Sequence, residues 1–310
     1  MDENFTIKRI KDEDTYKYIN LNSKREIKNE NILQKIKKKY IPPAYNPVCI
    51  NQNLEAFCYA IGVDVKGKKQ YLYNKSWTEQ QSRKKYDNMI LFAKKFQKLE
   101  KNIYSYINNY NSISQENFKN FLVSIAIYLI IKCNFRVGTK ENDKSFGVTT
   151  LKKNHFNIKK NDVYIEFVGK RGIINKCSIN DEKIAFILQK LKQTNENDCF
   201  FKFKKNDFRT YINANDINLF IKKYGNFSSK DIRTYRSNIL FLEFYKKYQK
   251  KSLQKNKLIK LCIQQTAQSL HNTESICKKS YINNDIINYL KENDYIITNV
   301  NKDLKNILQK

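Results

Sequence analysis

The sequence predicts an α+β protein, with a small β-rich N-terminal domain over residues 1–80 and a mainly helical domain over residues 81–310. Three observations carry this reading. Short runs with strand-like alternation fill Val48–Tyr73. The hydrophobic period changes to 3.6 after Trp77. All three prolines stand at positions 42, 43 and 47, so nothing downstream forbids helix.

In chain order, residues 1–40 are a mixed-charge segment ending in KIKKKY, in which no element is assigned. IPPAYNP follows as a helix-free loop. VCINQNLEAFCYAIGVDVKGKKQYLYN then reads as short strands, with DVKG as a hairpin turn. Beyond a boundary near residues 76–84, Tyr86, Met89, Ile90, Ala93, Phe96 and Leu99 share one helical face. A second helix carries Phe118, Phe121, Leu122, Ile125, Ala126, Leu129 and Ile130. Val163–Ile179 reads as a hairpin turning at GKRG, a lone strand pair among helices. Helices resume at about 181–193, 214–223, 229–248 and 256–271, and a polar tail closes the chain.

Composition narrows the function. Lys and Arg number 59 against 30 Asp and Glu, a formal charge of +29, while 41% hydrophobic residues exclude the signature of disorder. A folded protein this basic points to a polyanion, above all nucleic acid, because neutralising phosphates releases counterions. The longest apolar run, Phe121–Ile131, is far shorter than the roughly 20 residues of a membrane span, so no membrane partner is expected. The N-terminus has no apolar leader, and an intracellular location is expected. Seven cysteines without a CxxC pair and only two histidines, His155 and His271, make a poor zinc ligand set and read as reduced thiols. The richness in Asn, Lys and Ile suggests an AT-rich genome. It leaves just eight arginines, each a position where a planar bidentate donor is worth considering.

Several chemistries fall away on inspection. Gly62–Lys69 approaches a P-loop, but Lys69 stands where the magnesium-holding hydroxyl belongs and a strand follows instead of a helix, so no nucleotide is expected. Asp162, Glu166 and Lys170 lack the Glu-x-Lys spacing of a metal nuclease. No GxSxG elbow occurs. What remains is phosphoryl transfer without a metal, which needs a nucleophile, cationic donors on the non-bridging oxygens and an acid for the leaving alkoxide. Tyr, Arg and Lys supply all three. Arg136 in NFRVG, Lys170 at the hairpin turn and Arg233 in KDIRTYRS stand in distinctive settings, although each alone has an ordinary explanation in helix capping or solvation.

Taken together, IPPAYNPVCI, AIGVDVKGKKQYLYN, RVGTKENDKSFGVTTLKKNHF, FVGKRG, SSKDIRTYRSNILFL and IQQTAQSLHNTESICKKSY occur in an order that resembles the poxvirus and bacterial type IB DNA topoisomerases. The resemblance runs from about residue 41 to residue 283. It implies a helical catalytic domain of the DNA breaking-rejoining type, like that of tyrosine recombinases, which forms a C-shaped clamp on duplex DNA with the N-terminal domain. It implies Tyr281 as the nucleophile of a 3′-phosphotyrosyl intermediate, Arg136 and Arg233 on the scissile phosphate, and Lys170 as general acid. Poxvirus members carry His nine residues before the tyrosine. That position is Asn272 here, as commonly in bacterial relatives, and His271 falls where the family usually has Gly. Asn272 is preferred to His271 because its amide can donate to a non-bridging oxygen. For DNA contact the resemblance suggests Gln70, Tyr71 and Tyr73 in the major groove, with Lys68, Lys69 and Lys230 near phosphates.

The function expected is therefore relaxation of supercoiled duplex DNA by a monomer, by nicking, swivelling and resealing without ATP, metal or other cofactor, wherever viral or cellular DNA is held. The AT-rich composition and compact length fit a large DNA virus. Two rivals stand beside it: a tyrosine recombinase, disfavoured by the IPPAY to QYLYN block, and a non-catalytic basic DNA-binding protein, disfavoured by the complete residue set.

Overall fold

A computed structural model describes residues 4–139, 144–194, 199–205 and 208–309. The chain divides into two compact units, Met1–Lys85 and Tyr86–Lys310.

The first unit is a five-stranded antiparallel sheet in the order β2-β1-β3-β4-β5. Its strands are β1 (Ile7–Asp12), β2 (Thr15–Asn20), β3 (Val48–Ile50), β4 (Cys58–Val63) and β5 (Lys69–Tyr73). Helix α1 (Glu30–Lys37) starts on the Asn29 side chain, which accepts from the Ile32 amide. Ile36 of α1 joins Ile7, Val48, Ile50, Tyr59 and Ala60 in one core. The segment before residue 40, unassigned from sequence, thus supplies two strands and a helix. Buried Arg9 donates to the carbonyls of Ile41 at 3.3 Å and of Pro42 and Tyr45 at 2.9 Å, and its guanidinium stacks 4.3 Å from the Tyr16 ring centre. The proline loop is therefore moulded around an arginine. Gly62 is required beneath it, since a Cβ there would lie 2.7 Å from the Tyr45 ring. DVKG is a hairpin turn, with the Asp64 carboxylate accepting the Lys66 and Lys68 amides at 2.9 Å, and no helix follows to receive a nucleotide phosphate.

The division between units falls inside the long helix α2 (Lys75–Asn108). The second unit is built around α3 (Phe118–Cys133), whose residues from Phe121 to Ile131 are all buried. A helix apolar on every side belongs at the centre of a domain. The other helices are α4 (Glu182–Thr194), α5 (Ala214–Lys222), α6 (Ser229–Tyr248), α7 (Lys255–Ser269), α8 (Glu274–Ser280), α9 (Asn284–Glu292) and α10 (Val300–Leu308); α5 and α6 pack on α3, α7 and α10 on α6, and α8 and α9 on α7.

Two expectations are corrected here. The hairpin of β7 (Asp162–Val168) and β8 (Ile174–Asn180) is not a lone pair, because β6 (Phe156–Lys159) extends it to three strands. A further hairpin, β9 (Lys202–Lys205) with β10 (Phe208–Tyr211), follows α4. The polar tail is also helical: α10 buries Leu304 and Ile307, three apart on one face, and its buried Asp303 accepts from the Tyr295 hydroxyl and the Thr298 and Asn299 amides, each at 2.8 Å.

Candidate active site

Four segments of the second unit converge. The first leaves α3 through Asn134, which takes the left-handed conformation with φ +55° and ends the helix. Arg136 follows in an extended stretch held by hydrogen bonds from the Val148 amide to the Arg136 carbonyl at 2.9 Å and from the Thr149 amide to the Val137 carbonyl at 2.8 Å. The second segment is α6, which places Arg233 in its second turn. Its N-terminus is secured by Asp231, which accepts the Ser228 amide and hydroxyl at 2.8 Å.

The third segment is the end of α7, where Leu270 caps the helix. The His271 amide bonds the Gln268 carbonyl and the Asn272 amide bonds the Ala267 carbonyl, both at 3.0 Å, with His271 left-handed at φ +52°. These two bonds are a Schellman motif, whose left-handed residue is usually Gly. The turn aims Asn272 inward. Arg136 Nη2 donates to Asn272 Oδ1 at 2.5 Å, while Asn272 Nδ2 donates to the Leu270 carbonyl at 3.3 Å. The fourth segment ends α8 at Tyr281, whose ring centre lies 5.3 Å from the Arg233 guanidinium carbon.

The electrostatics follow from this packing. Arg233 is only 5% exposed, with Nη2 on the Leu270 carbonyl at 3.2 Å and with Nε and Nη1 buried and unpartnered. A cation with two buried unused donors is prepared for an anion. Burial alone would raise the Tyr281 phenol above its ordinary pKa, but Arg233, Arg136 and the Asn272 amide outweigh it and hold the phenol below that value. His271 is held below the ordinary imidazole value, chiefly by burial and against its bond to the Cys133 carbonyl, so the ring is neutral near pH 7. That ring meets the Cys133 carbonyl through Nε2 at 3.3 Å and packs on Phe135.

Arg136, Arg233, Asn272 and Tyr281 are therefore gathered at one point. Lys170 is exposed at the β7–β8 turn and bonds none of the other four. Its hairpin is nonetheless anchored to the Arg136 segment, because Phe167 packs edge-on against Phe135 at 4.8 Å and Cys177 of β8 is disulfide-bonded to Cys133. The disulfide corrects the expectation of reduced thiols throughout; the pair is 44 residues apart, and no local spacing announces it.

In the first unit, β5 presents Lys69, Tyr71 and Tyr73 on one exposed face, with the two tyrosine rings stacked at 6.3 Å. Gln70 points to the other face and donates to Asp64 at 2.8 Å. Lys68 and Lys230 are exposed, the latter in the first turn of α6. Glu166 pairs with Lys176 at 2.9 Å, and Asp162 accepts from Asn180 at 2.6 Å, which leaves the nuclease-like acids in ordinary strand contacts. Among the described residues no cluster of three His, Cys, Asp or Glu side chains suits a metal, and no helix is long and apolar enough to cross a membrane.

Sequence reasoning missed the buried polar residues behind Tyr281. Ser237 Oγ and Asn238 Nδ2 donate to the Tyr281 carbonyl at 3.1 and 3.0 Å, Asn238 Oδ1 accepts the Asn283 amide at 2.8 Å, and the Tyr86 hydroxyl donates to the Ile282 carbonyl at 2.6 Å. The one available signal was a Ser-Asn pair on the apolar side of α6, between Tyr235 and Ile239.

Residues 64–308 match the family described as eukaryotic DNA topoisomerase I, catalytic core. The DNA topoisomerase 1B of Acanthamoeba polyphaga mimivirus is 29% identical, over 96% of this chain and 91% of the relative. The DNA topoisomerase 1 of Rabbit fibroma virus (strain Kasza) is 27% identical, over 77% and 74% of the two chains. The DNA topoisomerase 1B of Vaccinia virus (strain Copenhagen) is 26% identical, over 76% and 73%. Among solved structures, the XerH site-specific recombinase bound to a palindromic difH substrate covers 58% of this chain and 47% of its own, at 15% identity and a TM-score of 0.36, too distant to bear on the chemistry. A family match over most of the chain, with relatives aligned through most of their length, is decisive: the chain belongs to the DNA topoisomerase I family, as a type IB isomerase that relaxes DNA by tyrosine transesterification.

Proposed function

We propose that Tyr281 is the nucleophile and that Arg136, Arg233, Asn272 and Lys170 complete the reaction on one strand of supercoiled duplex DNA. The observation that carries this is the pairing of a Tyr281 phenol held below its ordinary pKa with an adjacent buried Arg233 whose Nε and Nη1 are unused. The phenol loses its proton to solvent, and its oxygen attacks phosphorus. The bond to the 5′-oxygen breaks as the 3′-phosphotyrosyl bond forms. Arg233 and Arg136 neutralise charge on the non-bridging oxygens, and Asn272 turns from Arg136 to share in it. The Lys170 ammonium gives its proton to the departing 5′-oxygen. After the free end has swivelled, the 5′-hydroxyl attacks the phosphotyrosine, Lys170 takes the proton back, and Tyr281 is released. Bond energy is conserved throughout, so ATP is not required, and guanidinium and ammonium groups supply the positive charge that a metal would otherwise bring.

Lys69, Tyr71 and Tyr73 contact DNA from the exposed face of β5, with Lys68 and Lys230 on phosphates. Gln70 joins them in the major groove once its amide leaves Asp64. The protein works as a monomer wherever viral or cellular DNA is held.

Relaxation of supercoiled plasmid in EDTA without ATP tests the scheme, beside a denaturant-trapped adduct assay. Wild type relaxes and forms the adduct; Tyr281→Phe does neither. Plasmid shifted without relaxation would support a binding protein instead. Lys170 is tested with sulfur replacing the bridging 5′-oxygen, since a thiolate departs without protonation. Lys170→Ala is slow on the oxygen substrate and close to wild type on the sulfur one, and a defect that persists on sulfur removes Lys170 from the role of acid.

A further inference from the structure

We propose that Asn238, seconded by Ser237, is a positioning residue that fixes the backbone of the nucleophile to the helix bearing Arg233. The inference rests on Tyr281 being the nucleophile.

Tyr281 sits where α8 has ended, at φ −123° and ψ −44°, and a bend through Ile282 and Asn283 leads into α9. The Tyr281 and Ile282 amides close the helix on the Cys277 carbonyl at 3.0 and 3.1 Å, and beyond them no helical ladder sets the direction of the chain. The Tyr281 and Ile282 carbonyls and the Asn283 amide are held by side chains. Asn238 is fully buried and every polar atom of its amide is used: Nδ2 donates to Thr234 O at 2.7 Å and Tyr281 O at 3.0 Å, while Oδ1 accepts the Asn283 amide at 2.8 Å. Two carbonyls on one side and an N–H on the other admit only one orientation of the amide. Asn238 thus grips the bend on both sides of Ile282, whose own carbonyl receives the Tyr86 hydroxyl.

Ser237 also reaches Tyr281 O, at 3.1 Å, but its single proton is contested by Thr234 O at 2.7 Å. It is the weaker of the two donors. Arg233 and Ser237 are four apart on α6 and share a face. One rigid helix therefore carries the cation meant for the phosphate and, a turn later, the hooks that hold the attacking residue. These two side chains tie the Tyr281 backbone directly to the helix that carries Arg233.

Buried carbonyls need donors in any fold, so the test must separate chemistry from folding. It uses the full chain, single-turnover cleavage and religation on a nicked-duplex substrate, DNA affinity and thermal melting. Asn238→Asp is nearly isosteric, keeps the acceptor for Asn283 and turns an oxygen toward Tyr281 O. Both Asn238→Asp and Asn238→Ala are expected to slow cleavage and religation together by about 100-fold, the scale of a misplacement near 1 Å, with DNA affinity unchanged. Sulfur at the leaving position does not restore them, in contrast to Lys170→Ala. Ser237→Ala is expected to lose about fivefold, one shared hydrogen bond. The double variant Ser237→Ala, Asn238→Ala loses more than the product of the single losses, because the two donors serve one acceptor.

Rates within about threefold of wild type in Asn238→Asp overturn the proposal. So does a loss of rate that comes with equal losses of DNA affinity and folding, or one cured by the sulfur substrate. If Asn238→Ala does not fold, Asn238→Asp decides. Tyr281→Phe keeps the two readings apart: an adduct that survives it refutes the nucleophile assignment itself, whatever Asn238 shows.

Discussion

Replacing Gly147 by Ala should cripple cleavage although the residue touches no reacting group. Gly147 has φ −149° and ψ −178°, extended backbone open to any residue, so backbone freedom is not why it is Gly. The reason is contact. A Cβ there would stand 2.5 Å from Gly138 Cα and N and 2.8 Å from the Arg136 carbonyl oxygen. Ordinary van der Waals contact begins near 3.4 Å, so the shortfall is about 0.9 Å. All three atoms are main chain in the segment that carries Arg136. No flexible side chain can yield, and the segment is tied to the same turn by the Val148 amide at 2.9 Å from Arg136 O. Relief therefore moves Arg136 by something close to the full shortfall. A displacement of that size costs about 100-fold in rate, and the overpacking costs about 1–3 kcal/mol of stability. Single-turnover cleavage with a thermal melt reads both. Cleavage within about threefold of wild type at an unchanged melting temperature would show that the Arg136 segment is not pinned as described. Gly138→Ala, at φ +90° and 2.8 Å from Gly147 Cα, adds left-handed strain and should be worse.

The pH dependence of cleavage has a definite sign: because Tyr281 is held below its ordinary value, the rate climbs as the phenolate forms, with a midpoint below the ordinary phenol value near 10. Asn272→Ala shifts that midpoint upward, and a wild-type midpoint above 10 contradicts the assignment. By linkage, the stability this phenolate contributes is complete above the unfolded pKa near 10 and is lost as pH falls through the lower folded value. Arg9→Lys keeps the charge but cannot serve three carbonyls, and should cost about 2–3 kcal/mol, seen as earlier melting of the N-terminal unit. The Cys133–Cys177 bond closes a 44-residue separation, worth about 4 kcal/mol by loop entropy. Reductant should lower the melting temperature of wild type and leave Cys177→Ser unmoved. Five titratable thiols are expected before reduction and seven after; seven at the outset exclude the bond.

Periodicity made α2 and α3 legible, since each repeats an apolar step through enough turns to exceed chance, and DVKG announced the β4–β5 turn by its chemistry. What stayed hidden shares one physical cause. β1 turns Ile7 and Arg9 inward, so its apolar alternation is broken by a buried cation whose partners lie 32 to 36 residues away. β6 is a four-residue strand, too short for a period to emerge, and α10 is a short amphipathic helix among polar neighbours. By itself the sequence determined the basic, two-part α+β character, the main helices, and the motifs by which the family and its candidate residues could be recognised, because these rest on residue type and local spacing. Only the tertiary structure decided that Asn272, and not the neighbouring His271, meets Arg136, that Cys133 joins Cys177, and that Asn238 grips the Tyr281 backbone. Each depends on segments 43 to 136 residues apart meeting to within a few tenths of an ångström, and the first also on a left-handed turn at His271 that aims its successor inward. Composition and periodicity carry no record of such distances; packing sets them.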